Sequence, residues 1–431
     1  MKTGRKLLLL ALVPLGLLLE SCQKQKAFAS FETNLPQPSA VVTKVTLNEE
    51  QQGYVQSGNH FSFTLLDAMF KGESLLISPL SVQFALSMAV NGARGETADE
   101  ITNALGYGKG ATAAINTYSK SLMDQLPAVD GKVMLRLANA IIVNSPYQLD
   151  GAFQSAVRDN YYAPAEVVPF TEPDVALDAL NAWASRNTDG MINPLLDHIH
   201  SNDGIAYLLG AVCFKAPWQE QSGHHPMFDP KNTVENADFL LGGGEVAKVD
   251  YMKTQTAFPY VDAADFSMVS IPYANGHYCM YVLLPKEESQ EAVRKLVSEL
   301  DRKDWKAMTA SMKEVDMWLS LPKFSTESSY NLKEPLRALG INAAFGKADF
   351  STMLSGDKTP DGIAEIIQKN RINITEWGTE AASVSSTLIN EATSDGKDHH
   401  PLIFNANHPF VYVIAEKSSD VIIFEGVFSG E

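Results

Sequence analysis

Few residues in this chain have the types and spacing that side-chain chemistry requires. Of nine histidines, four form two adjacent pairs, His224-His225 and His399-His400, in polar stretches. Two histidines that share a metal on a helix sit four residues apart, whereas neighbours point to different sides. No cysteine or carboxylate cluster surrounds either pair, so solvated loop histidines and no bound metal are expected. Gly106, Gly108 and Ala111 in "GYGKGA" fit a dinucleotide-binding spacing. They follow an amphipathic helical stretch, not the strand that such a turn needs, and read as a glycine-rich helix exit. No GxSxG, HExxH or CxxC is present, which removes the commonest signatures of hydrolases, zinc proteases and thiol redox enzymes. Cys213 and Cys279 lie in apolar runs, "LLGAVCFK" and "HYCMYVLLP". Two such cysteines make no disulfide framework, and two buried thiols are expected. Nothing here points to an enzyme or to a cofactor.

One stretch has an unusual pattern of small residues. "TEWGTEAASVSSTLINEATSDGKDHH", Thr375 to His400, lies between two strand-like runs and contains almost no bulky apolar side chain. Side chains alternate faces along a strand. From Thr379 one face is Thr379, Ala381, Ser383, Ser385 and Thr387; the other is Glu380, Ala382, Val384, Ser386 and Leu388. The first face carries nothing larger than threonine and no charge, so it fits between two existing strands without forcing them apart. Gly378 just before it is a natural pivot. The polarity also suits a surface loop, and composition alone leaves both readings open.

The elements that hold this stretch follow an order. Helical periodicity runs from about Gly53 to Leu105, with one helix starting at Ser78-Pro79, a capping serine before a first-turn proline, and another after Thr97. "VMLRLANAIIV" reads as a strand and "DALNAWASRNTDGMINPLL" as a helix as far as Gly190. From Ala206 strands dominate, and the short helix "NLKEPLRALG" ends at Gly340. Helices early and strands late make an α+β fold. Of 431 residues, 45% are hydrophobic and 20% charged, which is globular composition. The net charge of −17 without a basic block argues against nucleic-acid binding.

The N-terminus reads as an export signal: Lys2, Arg5 and Lys6, an apolar run from Leu7 to Leu19, then Ser21 before Cys22. Its end resembles a bacterial lipobox, with Glu20 where a small residue is usual. Residues 1–21 are therefore expected to be a signal peptide and Cys22 a lipidation site. Residues 22–50, interrupted by Pro36 and Pro38, form the expected tether. Residues 51–431 form the expected single domain of an exported, membrane-anchored protein.

Six blocks, in order, resemble the serpin family over roughly residues 53–431. They are "ISPLSVQFALSMAVNGARGETADEI", "NAWASRNTDGMI", "CFKAPW" with Ala216 where the family has glycine, "LPKFSTESSYNLKEPLRALGI" with "ADFS", the hinge "EWGTEAAS", and "HPFVYVI…IIFEGVF". The resemblance implies a serpin fold: helices packed on a large central sheet and smaller sheets, with an exposed reactive-centre loop at about 376–403. It implies a monomer that inhibits serine, and also cysteine, proteases by presenting its loop as bait. The cut loop then inserts into the large sheet and traps the acyl-enzyme. On this reading Glu376, Gly378, Thr379, Glu380, Ala381, Ala382 and Ser383 form the hinge. The family's usual loop length, counted from Gly378, places the attacked bond at Ala392-Thr393, which suits elastase-like proteases with a shallow pocket. Fifteen residues from there back to Gly378 span ~50 Å at about 3.3 Å each. Cutting near Lys397 by a trypsin-like protease is the alternative, and a non-inhibitory serpin used as a binding module is the rival class.

The resemblance also marks a sheet-opening region, where Ser78 and Ser81 match, and a loop-insertion region at Trp218, beside Lys215 of the "CFKAPW" strand. An asparagine and a histidine that bond across strands in the family are replaced by Gly210 and Gln368. The longer amide of Gln368 has the reach for backbone groups left by the missing side chain at Gly210. No titratable group remains at that pair.

Overall fold

The computed structural model describes residues 43–145, 147–199, 205–242, 244–356, 362–379 and 400–430. The first described elements are α1 (Glu49–Met69), β1 (Leu75–Ile77), α2 (Pro79–Gly92), α3 (Gly95–Ala104) and α4 (Thr112–Gln125). Then come β2 (Met134–Asn144), β3 (Gln148–Leu149), α5 (Gly151–Tyr161), β4 (Ala165–Val168), α6 (Pro173–Asn187) and β5 (Ala206–Pro217). Strands follow: β6 (Val234–Gly242), β7 (Glu245–Asp262), β8 (Phe266–Pro272) and β9 (Tyr278–Pro285). Two helices, α7 (Gln290–Leu300) and α8 (Trp305–Ser311), precede β10 (Lys313–Pro322) and β11 (Phe324–Asn331). The last elements are α9 (Lys333–Ala338), β12 (Leu354–Ser355), β13 (Glu365–Thr375), β14 (Gly378–Thr379), β15 (Leu402–Asn405), β16 (Phe410–Glu416) and β17 (Ile422–Phe428). The early helices and late strands of the sequence are thus observed, in an α+β fold.

Among the described residues the strands form three sheets. Six strands run in the order β11-β13-β14-β5-β2-β4, with β13 also pairing directly with β5. Nine belong to a second sheet, β1-β17-β16-β9-β8-β7-β10-β15 with β6 on β7, and β12 pairs with β3. Helix α2 packs against β2 and β5 of one sheet and β17 of the other. Nearly all its residues are buried, which explains why it is apolar all round and not amphipathic. By contrast α7 has one wet side and buries only Val293, Leu296, Val297 and Leu300, three to four apart. Helix α6 covers the outer face of the six-stranded sheet, where Trp183 and Leu180 share a core with Ala138, Tyr207, Leu209 and Ile367.

Some local expectations differ from what is observed. Ser78 precedes Pro79 as expected but makes no side-chain cap; its hydroxyl donates to the Ile423 carbonyl at 2.8 Å, because β17 passes directly beneath the helix start. Helix α3 begins at Gly95, two residues before Thr97, and the Thr97 hydroxyl accepts from the Asp349 amide. The expected tether boundary at residue 50 falls inside structure: Val45 is buried, and Asn48 and Gln51 form a capping box that starts α1 at Glu49. Gly106, Gly108 and Gly340 take positive φ after their helices, as helix exits do. Cys213 and Cys279 are buried and not bonded to each other. Cys22 and the signal-like segment lie outside the described residues.

Candidate functional site

Strands β5 and β13 run parallel and meet at one end only. Glu365 to Gln368 pair with Tyr207 to Gly210. At the other end β14 lies between them, with Thr379 opposite Ile374 on one side and Ala216 on the other, and Gly378 opposite Thr375 and Pro217. The central sheet is therefore zipped below and split above, with the first residues of the loop seated at the top of the split.

The registers on the two sides agree. Gln368 faces Gly210 where the strands touch, and the same offset relates Ile374 to Ala216 where β14 separates them. Parting the two strands to admit a further strand needs a sideways step of about 4.8 Å, one strand spacing, and no slip along the strands.

The top of the split is densely bonded. The turn Glu376-Trp377 joins β13 to β14, and Glu376 is buried there with its carboxylate accepting from Thr233 Oγ1 at 2.8 Å and facing Lys323 Nζ at 3.2 Å. Burial alone would raise this carboxyl's pKa. Hydrogen bonds from its own backbone N–H, Thr233 and Lys323, with the lysine's charge, hold it below the usual value. Trp218 Nε1 donates to the Thr375 carbonyl at 2.8 Å and its backbone N–H to that of Trp377 at 3.2 Å. The indole stacks on Tyr273, with centroids 4.4 Å apart and planes 9° apart. Tyr273 in turn shares a 2.6 Å hydrogen bond with the hydroxyl of buried Thr379. Gly378 has φ of +135°, and a Cβ there would lie 2.1 Å from the Ala216 carbonyl oxygen; only glycine fits on both counts.

The zipped end has another character. The Gln368 amide closes a two-way pair with Ser78: Nε2 donates to the Ser78 carbonyl at 2.7 Å, and Oε1 accepts from its N–H at 3.1 Å. Asn370 Nδ2 donates to Gln368 Oε1 at 2.9 Å and Ser328 Oγ to the Leu76 carbonyl at 2.6 Å. Gln368 thus reaches the start of α2, not backbone groups at Gly210 as expected. Ser81 takes that space: a Cβ on Gly210 would sit 1.9 Å from Ser81 Oγ.

Of the hinge residues, Glu376, Gly378 and Thr379 are brought together with Trp218, and Ser78, Ser81, Gly210 and Gln368 meet at the lower end. Lys215 lies on the opposite, α6-facing side of β5, 3.4 Å from Asp189. Glu380, Ala381, Ala382, Ser383, Ala392, Thr393 and Lys397 lie outside the described residues. Sequence reasoning did not single out Thr233, Tyr273, Lys323, Asn139 or Asn370. Of these only Asn139 carried a signal, being a polar residue inside the apolar run LANAIIV. Among the described residues no cluster of histidine, cysteine and carboxylate could hold a metal.

Comparison with known proteins agrees with this architecture. A family model for serpins, serine protease inhibitors, matches residues 56–430. The uncharacterized serpin-like protein TK1782 of Thermococcus kodakarensis is 29% identical over 88% of this chain and 85% of its own length. Serine protease inhibitor 42Dd of Drosophila melanogaster is 29% identical over 84% and 93%. The crystal structure of the thermophilic serpin tengpin in its native state superposes with a TM-score of 0.78 at 28% identity, covering 91% of this chain and 97% of that one. A family-model match along nearly the whole described chain, with helices packed on a large sheet and smaller sheets as the resemblance implied, shows that this protein belongs to the serpin family.

Proposed function

We propose that this chain is a suicide-type inhibitor of serine proteases that traps its target by inserting the cut loop between β5 and β13. The observation that carries the reading is the position of β14, already paired to both strands at the top of a split whose two sides are in register. Relatives named as serine protease inhibitors support the same class.

The chemistry follows from the loop. The protease's serine Oγ attacks the carbonyl carbon of Ala392, the amine of Thr393 leaves with a proton, and an ester joins enzyme to inhibitor. Freed at one end, the segment after Thr379 extends down the split. Each further residue meets one residue earlier in β5 and in β13, so Glu380 comes opposite Lys215 and Asn373. Ala381, Ser383, Ser385 and Thr387 share the face of Thr379, towards buried Phe214, Val212 and Ile372. Small side chains suit that face because the core beneath it is already filled. Each inserted residue adds ladder hydrogen bonds worth roughly 1 kcal/mol, so about ten residues gain on the order of 10 kcal/mol. That gain moves the acylated protease to the far end of the sheet before water can release it.

An alanine before the cut suits elastase-like enzymes. In the cell the inhibitor is exported and held to the envelope through lipid on Cys22, as a monomer with its domain at the end of the tether. The test is incubation with an elastase-like serine protease. The expected result is an SDS-stable band of the summed mass and a released fragment beginning at Thr393. Cleavage as a plain substrate, with the protease left active, would overturn the proposal.

A further inference from the structure

Two glutamates of the nine-stranded sheet are fully buried, and their surroundings differ. Glu416, at the end of β16, accepts four hydrogen bonds, from the backbone N–H and the hydroxyl of both Ser418 and Ser419. Glu425, within β17, has both carboxyl oxygens buried without a hydrogen-bond partner. Buried polar groups are nearly always paired, so a carboxyl with two orphaned oxygens requires an explanation.

The sheet register sets the side on which Glu425 lies. It is opposite Ile77 of β1 and Val413 of β16, and Val413 is opposite Tyr281 of β9. Directly opposed residues share a face. Tyr281 packs edge-on against Trp305, and Trp305 against Phe63 of α1, with ring centroids 5.0 and 5.6 Å apart. Glu425 is therefore on the face that the helices cover. Gly426 belongs to the other face, where a Cβ would strike the ring of Tyr412.

No charge reaches Glu425 from the described elements packed on β17, which are β1, β16, α1 and α2. Neither β1 nor α2 has a titratable residue. On α1, Glu49, Glu50, His60 and Asp67 are exposed, and buried Tyr54 gives its hydroxyl to Glu50. On β16, Tyr412 is directed to the opposite face, where it bonds the Leu75 carbonyl, and Glu416 is held by its two serines. Tyr281 shares the face of Glu425 but stands two strand spacings away, ~10 Å. Burial therefore pushes the Glu425 carboxyl well above the ordinary carboxylate range with nothing to offset it.

We propose that Glu425 is a pH sensor built into the core, carried in the folded domain as the neutral acid, through which the domain loses stability as the medium changes from mildly acidic to alkaline. Below ~4.3, the unfolded carboxyl value, folded and unfolded chains both hold the proton and the group adds no pH dependence. Above it the unfolded chain releases the proton while the folded one keeps it, so stability falls with each pH unit until the folded value is passed. The sign is opposite to that of Glu376, whose lowered folded value makes its contribution fade in acid.

The test is melting of the full chain between pH 4.5 and 8.5 as parent, Glu425→Gln and Glu425→Met. Glutamine keeps the shape without the proton, and methionine removes both oxygens. Taking the difference between variant and parent cancels the titration of every other group. That difference is expected to grow in the variants' favour by about 2 °C for each pH unit. If the glutamine form does not fold, the methionine form carries the same comparison. Infrared spectra at pH 7 give an independent reading: the parent should show the carbonyl stretch of a protonated carboxyl, and the variants should lack it. A melting difference that stays constant or shrinks as pH rises overturns the proposal, and so does a parent without that band.

Discussion

The two ends of the β5–β13 seam are built on opposite plans. At the top the side chains are large and their partners complete: Trp218 lies flat on Tyr273, and Glu376 is held by Thr233 and Lys323. At the bottom the strands already touch, yet Gly210 has no side chain and Ser81 and Asn139 lack partners. The top holds the hinge where it is; the bottom is the part left incomplete. A sheet that opens as proposed would need both properties. A fully satisfied lower seam would resist parting, and a loose upper one would let the uncut loop slide in.

The strongest way to break this contrast is at the top. Replacing Trp218 by alanine removes a stacked ring and its bond to Thr375, a change of the kind that costs about 3–5 kcal/mol in a core. The melting temperature of the intact form should fall by about 5 °C, and a fall of less than a degree would show that the top is not a lock.

A smaller effect is expected from Glu376→Gln, which keeps the shape and loses the charge facing Lys323. Lys323 is partly exposed, so solvent weakens the pair, and the loss should be about 1 kcal/mol at neutral pH. Because the folded-state pKa of Glu376 lies below its unfolded value, its contribution is complete above ~4.3, the unfolded carboxyl value, and is lost as pH falls through the folded value. Stability curves of parent and variant should therefore merge in acid. Curves that stay parallel down to that range would assign the effect to packing.

The smallest change sharpens the lower end. Gln368 is neutral at every pH, so complex formation by the parent, measured against the same protease, should depend less on pH between 5 and 8 than that of a histidine variant. In Gln368→His a buried imidazole is harder to charge while the seam is closed. Opening should then be favoured on acidification, by about twofold to threefold between those limits. A parent as pH-sensitive as the variant would place the titrating group elsewhere.

Much of this was legible in sequence. The strand runs around β13 and β16, the glycine at 378 and the small-sided face after it are local patterns, and the family blocks gave their order. The bonding of the seam was not legible. Ser78 has the sequence of a helix cap, but the Ile423 carbonyl takes its hydroxyl, and no local rule weighs a partner 345 residues away. Gln368 looked able to compensate for Gly210, yet Ser81, brought in by α2, already filled that space. Asn139 stood out only as a polar residue in an apolar run, with nothing to say what it faced, and Asn370 did not stand out among Gln368, Lys369 and Arg371.

Alternation and residue size are properties of neighbours along the chain, so the sequence by itself determined that small, uncharged residues recur at every second position from Thr379. Which strands flank Thr379, and which buried groups stand without partners at the seam, depends on pairing between segments about 160 residues apart. Only the packed sheet sets that register, because hydrogen bonds across strands form by position in space and not by position in the chain.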